Sequence, residues 1–220
     1  MGSTFDEYAE AYDSWYDAPE GQVLFTAERD CFLHLYGGSF DGWLEVGVGT
    51  GRFAQALGIT NGIDPSPKML EWASGRGIET CLGSAESLPF ADGAFDGVLM
   101  ALTLCFVSDA ALSLKECYRV LRPGGYLLLG FIPSESAWGR EYKAKAERGH
   151  PFYAHASFQT VDETLGLVQP AGFLLCGCAG TLYCKPGQLA GLEPRIGAPC
   201  GEEAGFAALL AQKPGTPAKT

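Results

Sequence analysis

The sequence predicts an α/β protein built on a doubly wound, mostly parallel sheet. Three observations lead there. Short apolar segments alternate with amphipathic stretches from Trp43 onward, a glycine-rich turn closes the first of those segments, and the two final strand-like segments lack a helix between them. Such alternation implies parallel strands joined by crossover helices, and the missing last helix implies an antiparallel closing pair.

Taken in order, helical patterning covers Phe5–Tyr16 and Gly21–Leu35, the second with Val23, Leu24, Ala27, Cys31, Leu33 and Leu35 as its apolar face. WLEVGV, from Trp43, is the first strand. A helix over Gly51–Leu57, a strand in GITNGID and a helix over Ser66–Gly75 follow. IETCLGSA supplies the third strand and FDGVLMALT the fourth, then a helix over Asp109–Leu121 leads to a fifth strand in GGYLLLGFI. An aromatic-rich insertion, Ser134–Phe158, breaks the rhythm before a helix over Val161–Gln169. Strands in Phe173–Tyr183 and Gly205–Gln212 complete the pattern, and the chain beyond Lys213 is expected to fray.

At 220 residues and 47% hydrophobic content the chain fits one domain, 1–220. Its net charge of -11 repels phosphate backbones and anionic membrane surfaces. The one candidate basic patch, GREYKAKAER, interleaves glutamates with lysines at helical spacing and reads as a solvated helix face. Nucleic acid is therefore not an expected partner. The N-terminus is acidic where a signal peptide is basic, and no apolar run approaches the roughly 18 residues of a membrane span, so a cytoplasmic protein without membrane insertion is expected. Eight cysteines without an export signal read as reduced thiols. Cys176, Cys178 and Cys184 lack the paired spacing of structural zinc sites, so no metal is expected.

The stretch LEVGVGTGRFA holds the most chemistry. Its spacing is Glu45-x-Gly47-x-Gly49-x-Gly51, where glycines permit a sharp turn and bring the backbone close to a ligand. The dinucleotide fingerprint has two residues before its last glycine; this turn has one, which argues against a nicotinamide-dependent oxidoreductase. Asp64 ends the second strand 13 positions after Gly51, where a carboxylate accepts from both hydroxyls of a ribose. A nucleoside is implied.

Two further blocks, GSAESLPFADGAFD and ECYRVLRPGGYLLLG, follow in order. Together with the turn and Asp64 they resemble the class I S-adenosylmethionine-dependent methyltransferases, of the type 11 subgroup that includes quinone-biosynthesis methylases. The resemblance covers roughly residues 8–212. It implies a Rossmann-like sheet of seven strands ending in the antiparallel hairpin, with 1–40 as a helical lid, 41–132 as the cofactor-binding core, 133–160 as a substrate-side insertion and 161–213 as a C-terminal helix and hairpin. It also implies S-adenosyl-L-methionine as cofactor and S-adenosyl-L-homocysteine as product. By that resemblance Glu45, Gly47, Gly49 and Gly51 meet the methionine part, Asp64 with its neighbour Pro65 the ribose, and Met69 one adenine face. Ser84, Ala85 and Glu86 lie along the adenine edge, while Ala101 and Leu102 border the methyl group. Ser84 stands where relatives often carry Asp, which predicts weaker adenine binding because a hydroxyl accepts less strongly than a carboxylate. Met69 reads equally as core.

Methyl transfer needs alignment of three atoms and exclusion of water more than it needs a catalytic residue. Candidates for a direct role are His155 and Tyr12, and Cys105 as a thiol nucleophile or arsenic ligand; His155 also reads as a surface residue and Cys105 as an inert buried thiol. His34 reads as structural. Tyr8, Tyr12 and Trp15, at helical spacing, read either as lid residues facing the sulfonium or as ordinary packing. Trp138, Tyr142, Phe152, Tyr153 and Phe158 in the insertion form an apolar wall. The expectation is methyl transfer to a small, apolar or aromatic acceptor; the alternative is a non-catalytic protein that binds the same cofactor. Oligomeric state is not legible.

Overall fold

A computed structural model describes residues 4–189, 195–197, 200, 201 and 203–215. Seven strands form one sheet in the order β3-β2-β1-β4-β5-β7-β6. They are β1 (Trp43–Val46), β2 (Asn61–Asp64), β3 (Glu79–Leu82), β4 (Phe95–Ala101), β5 (Leu121–Phe131), β6 (Leu174–Thr181) and β7 (Phe206–Gln212). The first five run parallel, and β7 inserts antiparallel between β5 and β6. The expected closing hairpin is therefore present. The central strands bury residues on both faces, so β1 and most of β4 lack the in–out alternation of a half-exposed strand. The edges differ: β3 exposes Leu82 and β6 exposes Leu174.

Side-chain alternation along each strand divides the core in two. Trp43, Leu99, Leu128 and Leu210 face one layer; Leu44, Val98, Leu127 and Leu209 face the other. Helices α1 (Thr4–Glu7), α2 (Ala9–Trp15), α3 (Pro19–Leu35), α4 (Arg52–Leu57) and α5 (Pro67–Gly75) precede β3 in the chain. Helices α6 (Ala110–Val120), α7 (Ala137–Glu147) and α8 (Val161–Val168) follow β4. The first layer packs against α3, α4, α5 and α7, the second against α6 and α8. Caps set the starts of four of these helices: Ser66, Asp109 and Ser136 each accept an amide of the first turn, and Thr160 with Glu163 forms a reciprocal capping box.

Where the elements depart from expectation, the causes are local. The helix foreseen over Phe5–Tyr16 breaks at Tyr8 (φ -113°, ψ 17°). The break lets Asp6 reach the start of α5 while Asp13 reaches two arginines. Strand β1 ends at Val46, two residues early, because the backbone turns left-handed at Gly47. Leu33 is exposed; the buried face of α3 is Leu24, Ala27, Glu28, Cys31 and Phe32. The Ser134–Phe158 insertion folds as α7 plus a single 3-10 turn at Tyr153–His155. Among the described residues, no helix is long and apolar enough to cross a membrane. The end beyond Lys213 lies mostly outside the described residues.

Candidate active site

The strand order reverses at β1, which opens a crevice beyond its carboxyl end. There the glycine turn is fixed by its neighbours. Gly47 and Val48 donate amides to the Ile63 carbonyl at 2.8 and 3.0 Å, and Gly49 donates to Asp64 Oδ2 at 2.9 Å. Ser66 donates its amide to Asp64 Oδ1, also at 2.9 Å. Each carboxylate oxygen thus keeps a free lone pair and cannot swing away. A Cβ at Gly49 (φ +51°) would meet no protein atom within 4 Å, so this glycine leaves room for something else.

That room is a cavity of about 250 Å³ lined by Gly47, Gly49, Asp64, Pro65, Met69 and, opposite, the segments Gly83–Glu86 and Ala101–Thr103. Burial pushes the Asp64 carboxyl upward, and the two amides work against it. Glu86 behaves oppositely: burial would raise it, but amides of Ser108 and Asp109 and the Ser84 hydroxyl hold it below the usual carboxylate range. With its proton directed to Glu86, the Ser84 oxygen presents lone pairs. Leu102 holds a left-handed backbone (φ 56°), a conformation costly for a branched residue.

Ten of the twelve residues expected at the cofactor line this cavity; Glu45 and Gly51 stand behind its wall. Glu45 is 1% exposed, its pKa raised well above the ordinary value by burial with the Asp64 charge adding to it, and among the described residues its Oε2 has no hydrogen-bond partner. Gly51 serves packing: a Cβ there would sit 3.0 Å from Ala73 Cα, so the glycine lets α4 lie against α5.

The N-terminal helices close over the crevice. Asp6 accepts from Ser66 Oγ at 2.6 Å and from the Lys68 amide at 3.2 Å. Asp13 is 3% exposed and accepts from Arg52 Nε (2.9 Å), Arg52 Nη2 (2.8 Å) and Arg76 Nη2 (2.9 Å). Burial alone would raise its pKa; hydrogen bonds from the two guanidinium groups outweigh that and hold it at about 2. Phe5 packs on Phe106 and Phe152 with ring centroids 5.2 and 5.4 Å apart.

A second cavity of about 210 Å³ adjoins the first, and Phe5, Tyr12, Leu102 and Phe106 line both. Its other walls include Tyr16, Tyr142, Phe152, Tyr153 and Phe158, together with Glu28, Lys145 and His150. The structure thus gathers Tyr12, Trp15, Tyr142, Phe152, Tyr153 and Phe158 around one space, whereas Trp138, expected in that wall, is buried in the core and donates its indole N–H to the Cys184 carbonyl at 2.8 Å.

Comparison with known proteins places this architecture. Residues 44–129 match the family described as methyltransferase domain. A solved structure from Thermotoga maritima, described as a SAM-dependent methyltransferase and possible histamine N-methyltransferase, is 36% identical with a TM-score of 0.85, covering 96% of this chain and 98% of that one. The chain belongs to the S-adenosylmethionine-dependent methyltransferases. An uncharacterised Mycobacterium tuberculosis protein is 41% identical over 179 residues, and the match spans 81% of this chain but only 63% of that relative. A demethylmenaquinone methyltransferase of Mycolicibacterium vanbaalenii is 29% identical over 183 residues, 77% of each chain.

The three candidates for a direct role fare differently. His155 is exposed and lines neither cavity, since the 3-10 turn carries it to the surface; His150 is the histidine in the wall. Burial pushes the Cys105 thiol up to about 12, so it lines the second cavity as a neutral thiol. Tyr12 stands at the junction of the cavities, 3.2 Å from the Tyr16 hydroxyl; burial raises it to about 12, which leaves a phenol able to donate but not a base. Trp15 lines the second cavity, whereas Tyr8 lines neither and rests edge-on against Phe152. Glu28 is the residue that the sequence reading missed. Its signal was present: Glu28 interrupts the apolar stripe of α3 between Leu24 and Cys31.

Proposed function

We propose that this chain binds S-adenosylmethionine in the cavity beside the glycine turn and methylates a small acceptor held in the adjoining aromatic one. The observation that carries the reading is the shared wall, Phe5, Tyr12, Leu102 and Phe106, which leaves two compartments in contact at the crevice beyond β1. The residues present fit the cofactor. Asp64 offers two spare lone pairs to ribose hydroxyls, Gly49 leaves open space beside the backbone, and the orphaned Glu45 Oε2 lies below the turn that would meet the methionine part. Met69, Ser84 and Glu86 would hold the adenine.

When bound, this cofactor supplies an electrophilic methyl carbon on a sulfonium. The protein's own part is to align and to dry. Leu102, strained at the junction, and Tyr12 above it fix the approach, while Phe5, Phe106 and Phe152 exclude water from the path. No general base is required for an acceptor that already presents a lone pair. The relatives whose names state or suggest an acceptor do not agree on one, so the acceptor's nature is read from the second cavity. An acidic surface argues for a small molecule over nucleic acid, and eight unpaired thiols fit a reducing cytosol.

Calorimetric titration with S-adenosylmethionine and S-adenosylhomocysteine tests the reading. Saturable one-to-one binding of both is expected; binding of neither to folded protein refutes it.

A further inference from the structure

The acceptor cavity contains a group that methyl transfer to an apolar molecule does not use. Glu28, on the buried face of α3, is 5% exposed and lines the cavity floor. No ion pair or hydrogen bond to its carboxylate is found among the described residues. Around it stand rings of Tyr12, Tyr16, Tyr142 and Tyr153, with Tyr142 and Tyr153 4.6 Å apart at their centroids and Tyr12 and Tyr16 5.5 Å apart. The Glu28 charge, added to burial, is one reason all four phenols stay protonated.

A lone acid inside an aromatic box is costly in its charged form, so without a ligand it keeps its proton, and a ligand that answers the charge is favoured there over one that does not. A neutral acceptor would leave the acid unmatched and an anionic one would be repelled. A cation satisfies both parts, since ring faces attract positive charge and the carboxylate supplies its counter-charge. We propose that Glu28 makes this pocket a receptor for a small organic amine, which enters as its ammonium ion. The inference rests on the second cavity's being the acceptor site, and it names the acceptor's class.

Glu28 also solves a chemical difficulty. An ammonium has no lone pair to attack with. In a dry pocket the charge-separated pair loses its advantage, so one proton moves from the ammonium nitrogen to a Glu28 oxygen, giving a neutral amine and a neutral carboxylic acid. Nothing else is consumed, and the freed lone pair stays on nitrogen. Lys145 lines the same cavity with its ammonium 5.0 Å from the Tyr142 centroid, so a second positive charge on the acceptor is disfavoured. His150 adds no competing charge, because burial and the Lys145 charge lower its pKa.

The test is calorimetric, at pH 7.5, with 2-phenylethylamine and its uncharged analogue 2-phenylethanol. Wild-type protein should bind the amine at least tenfold more tightly than the alcohol. Glu28→Gln should erase that preference and leave alcohol binding within about twofold. Equal binding of both by the wild type, binding of neither, or an unchanged preference in a folded Glu28→Gln overturns the proposal. Should that variant not fold, the wild-type preference and its loss or retention in Glu28→Leu decide. A separate titration with S-adenosylhomocysteine divides the failures. If it binds and the amine shows no preference, the amine assignment is wrong; if it does not bind, the methyltransferase reading fails by itself.

Discussion

Replacing Asp13 with Ala should unfasten the N-terminal lid without unfolding the sheet. Asp13 accepts three hydrogen bonds from two guanidinium groups, and Arg52 and Arg76 are each only 17% exposed at their side chains. Removing one partner of such a buried pair costs about 3–5 kcal/mol. The arginines can still turn toward water, so the lower end applies, about 3 kcal/mol, or roughly a hundredfold in an opening equilibrium. That loss should fall on the lid alone. Helix α1 buries no residue and α2 buries only Ala9 and Asp13, so beyond the Asp6 hydrogen bonds and the Phe5 ring contacts little burial holds them, and weakly packed segments open as separate units. Hydrogen exchange read by mass spectrometry should therefore show protection of residues 9–16 falling by about two powers of ten. Strands β4 and β5 should keep theirs.

The same clasp predicts a pH dependence with a definite sign. The folded pKa of Asp13, about 2, lies below its ordinary value of 3.8. Its contribution is full above pH 4 or so and is lost as pH falls toward 2. Wild-type α2 should lose protection over that window, and Asp13→Ala should not change there. Unaltered exchange in α2, with the whole loss appearing as a drop in Tm, would show that the lid does not open by itself and would refute the reasoning.

Other expectations follow from the same geometry. Asp64→Ala should weaken S-adenosylhomocysteine binding by about 1.5–3 kcal/mol by calorimetry, the range for hydrogen bonds to a charged group; unchanged affinity in a folded variant would mean that the ribose lies elsewhere. Gly49→Ala places a methyl in open space at positive φ, so binding should fall at least tenfold while stability falls by about 1 kcal/mol; a variant that binds normally would show the turn does not approach the ligand. Glu28→Gln should lack a pH-dependent penalty that the wild type carries. Burial raises Glu28 from 4.5 to about 8, so the folded state keeps a proton that the unfolded chain releases, and wild-type stability falls as pH rises through that interval. Denaturant titrations should find Glu28→Gln more stable than wild type by a few kcal/mol at pH 9 but not at pH 4; parallel curves would place Glu28 in water. Of the groups facing it, Tyr12 on α2, Tyr16 just after it, Tyr142 on α7, Tyr153 and Cys105 stay neutral over that range, the Lys145 side chain lines the same cavity, and His150 titrates below its ordinary value.

What could be read in advance and what could not divide along a physical line. The glycine turn and Asp64 were legible because backbone geometry there demands particular residue types at fixed spacing: positive φ at Gly47 and Gly49, and a carboxylate between two amides. The parallel run of strands and the antiparallel closing pair followed from crossover connections and the missing last helix. Gly51 shows the limit of such reasoning, since the same residue type serves ligand approach in one position and helix packing against Ala73 in the next. Contacts between distant segments leave no local mark. Nothing near Asp13 announces Arg52 and Arg76, and nothing distinguishes His150 from His155 until the insertion folds around a 3-10 turn. Glu28 lies between these cases. Its neighbours on α3 show that position 28 must face inward, and burying a carboxylate there without a partner opposes stable folding. A carboxylate on an apolar stripe is thus a local contradiction that protonation or a cationic ligand resolves, and on the amine reading the acceptor's chemistry is set from α3, away from the glycine turn and the insertion where the sequence first directs attention.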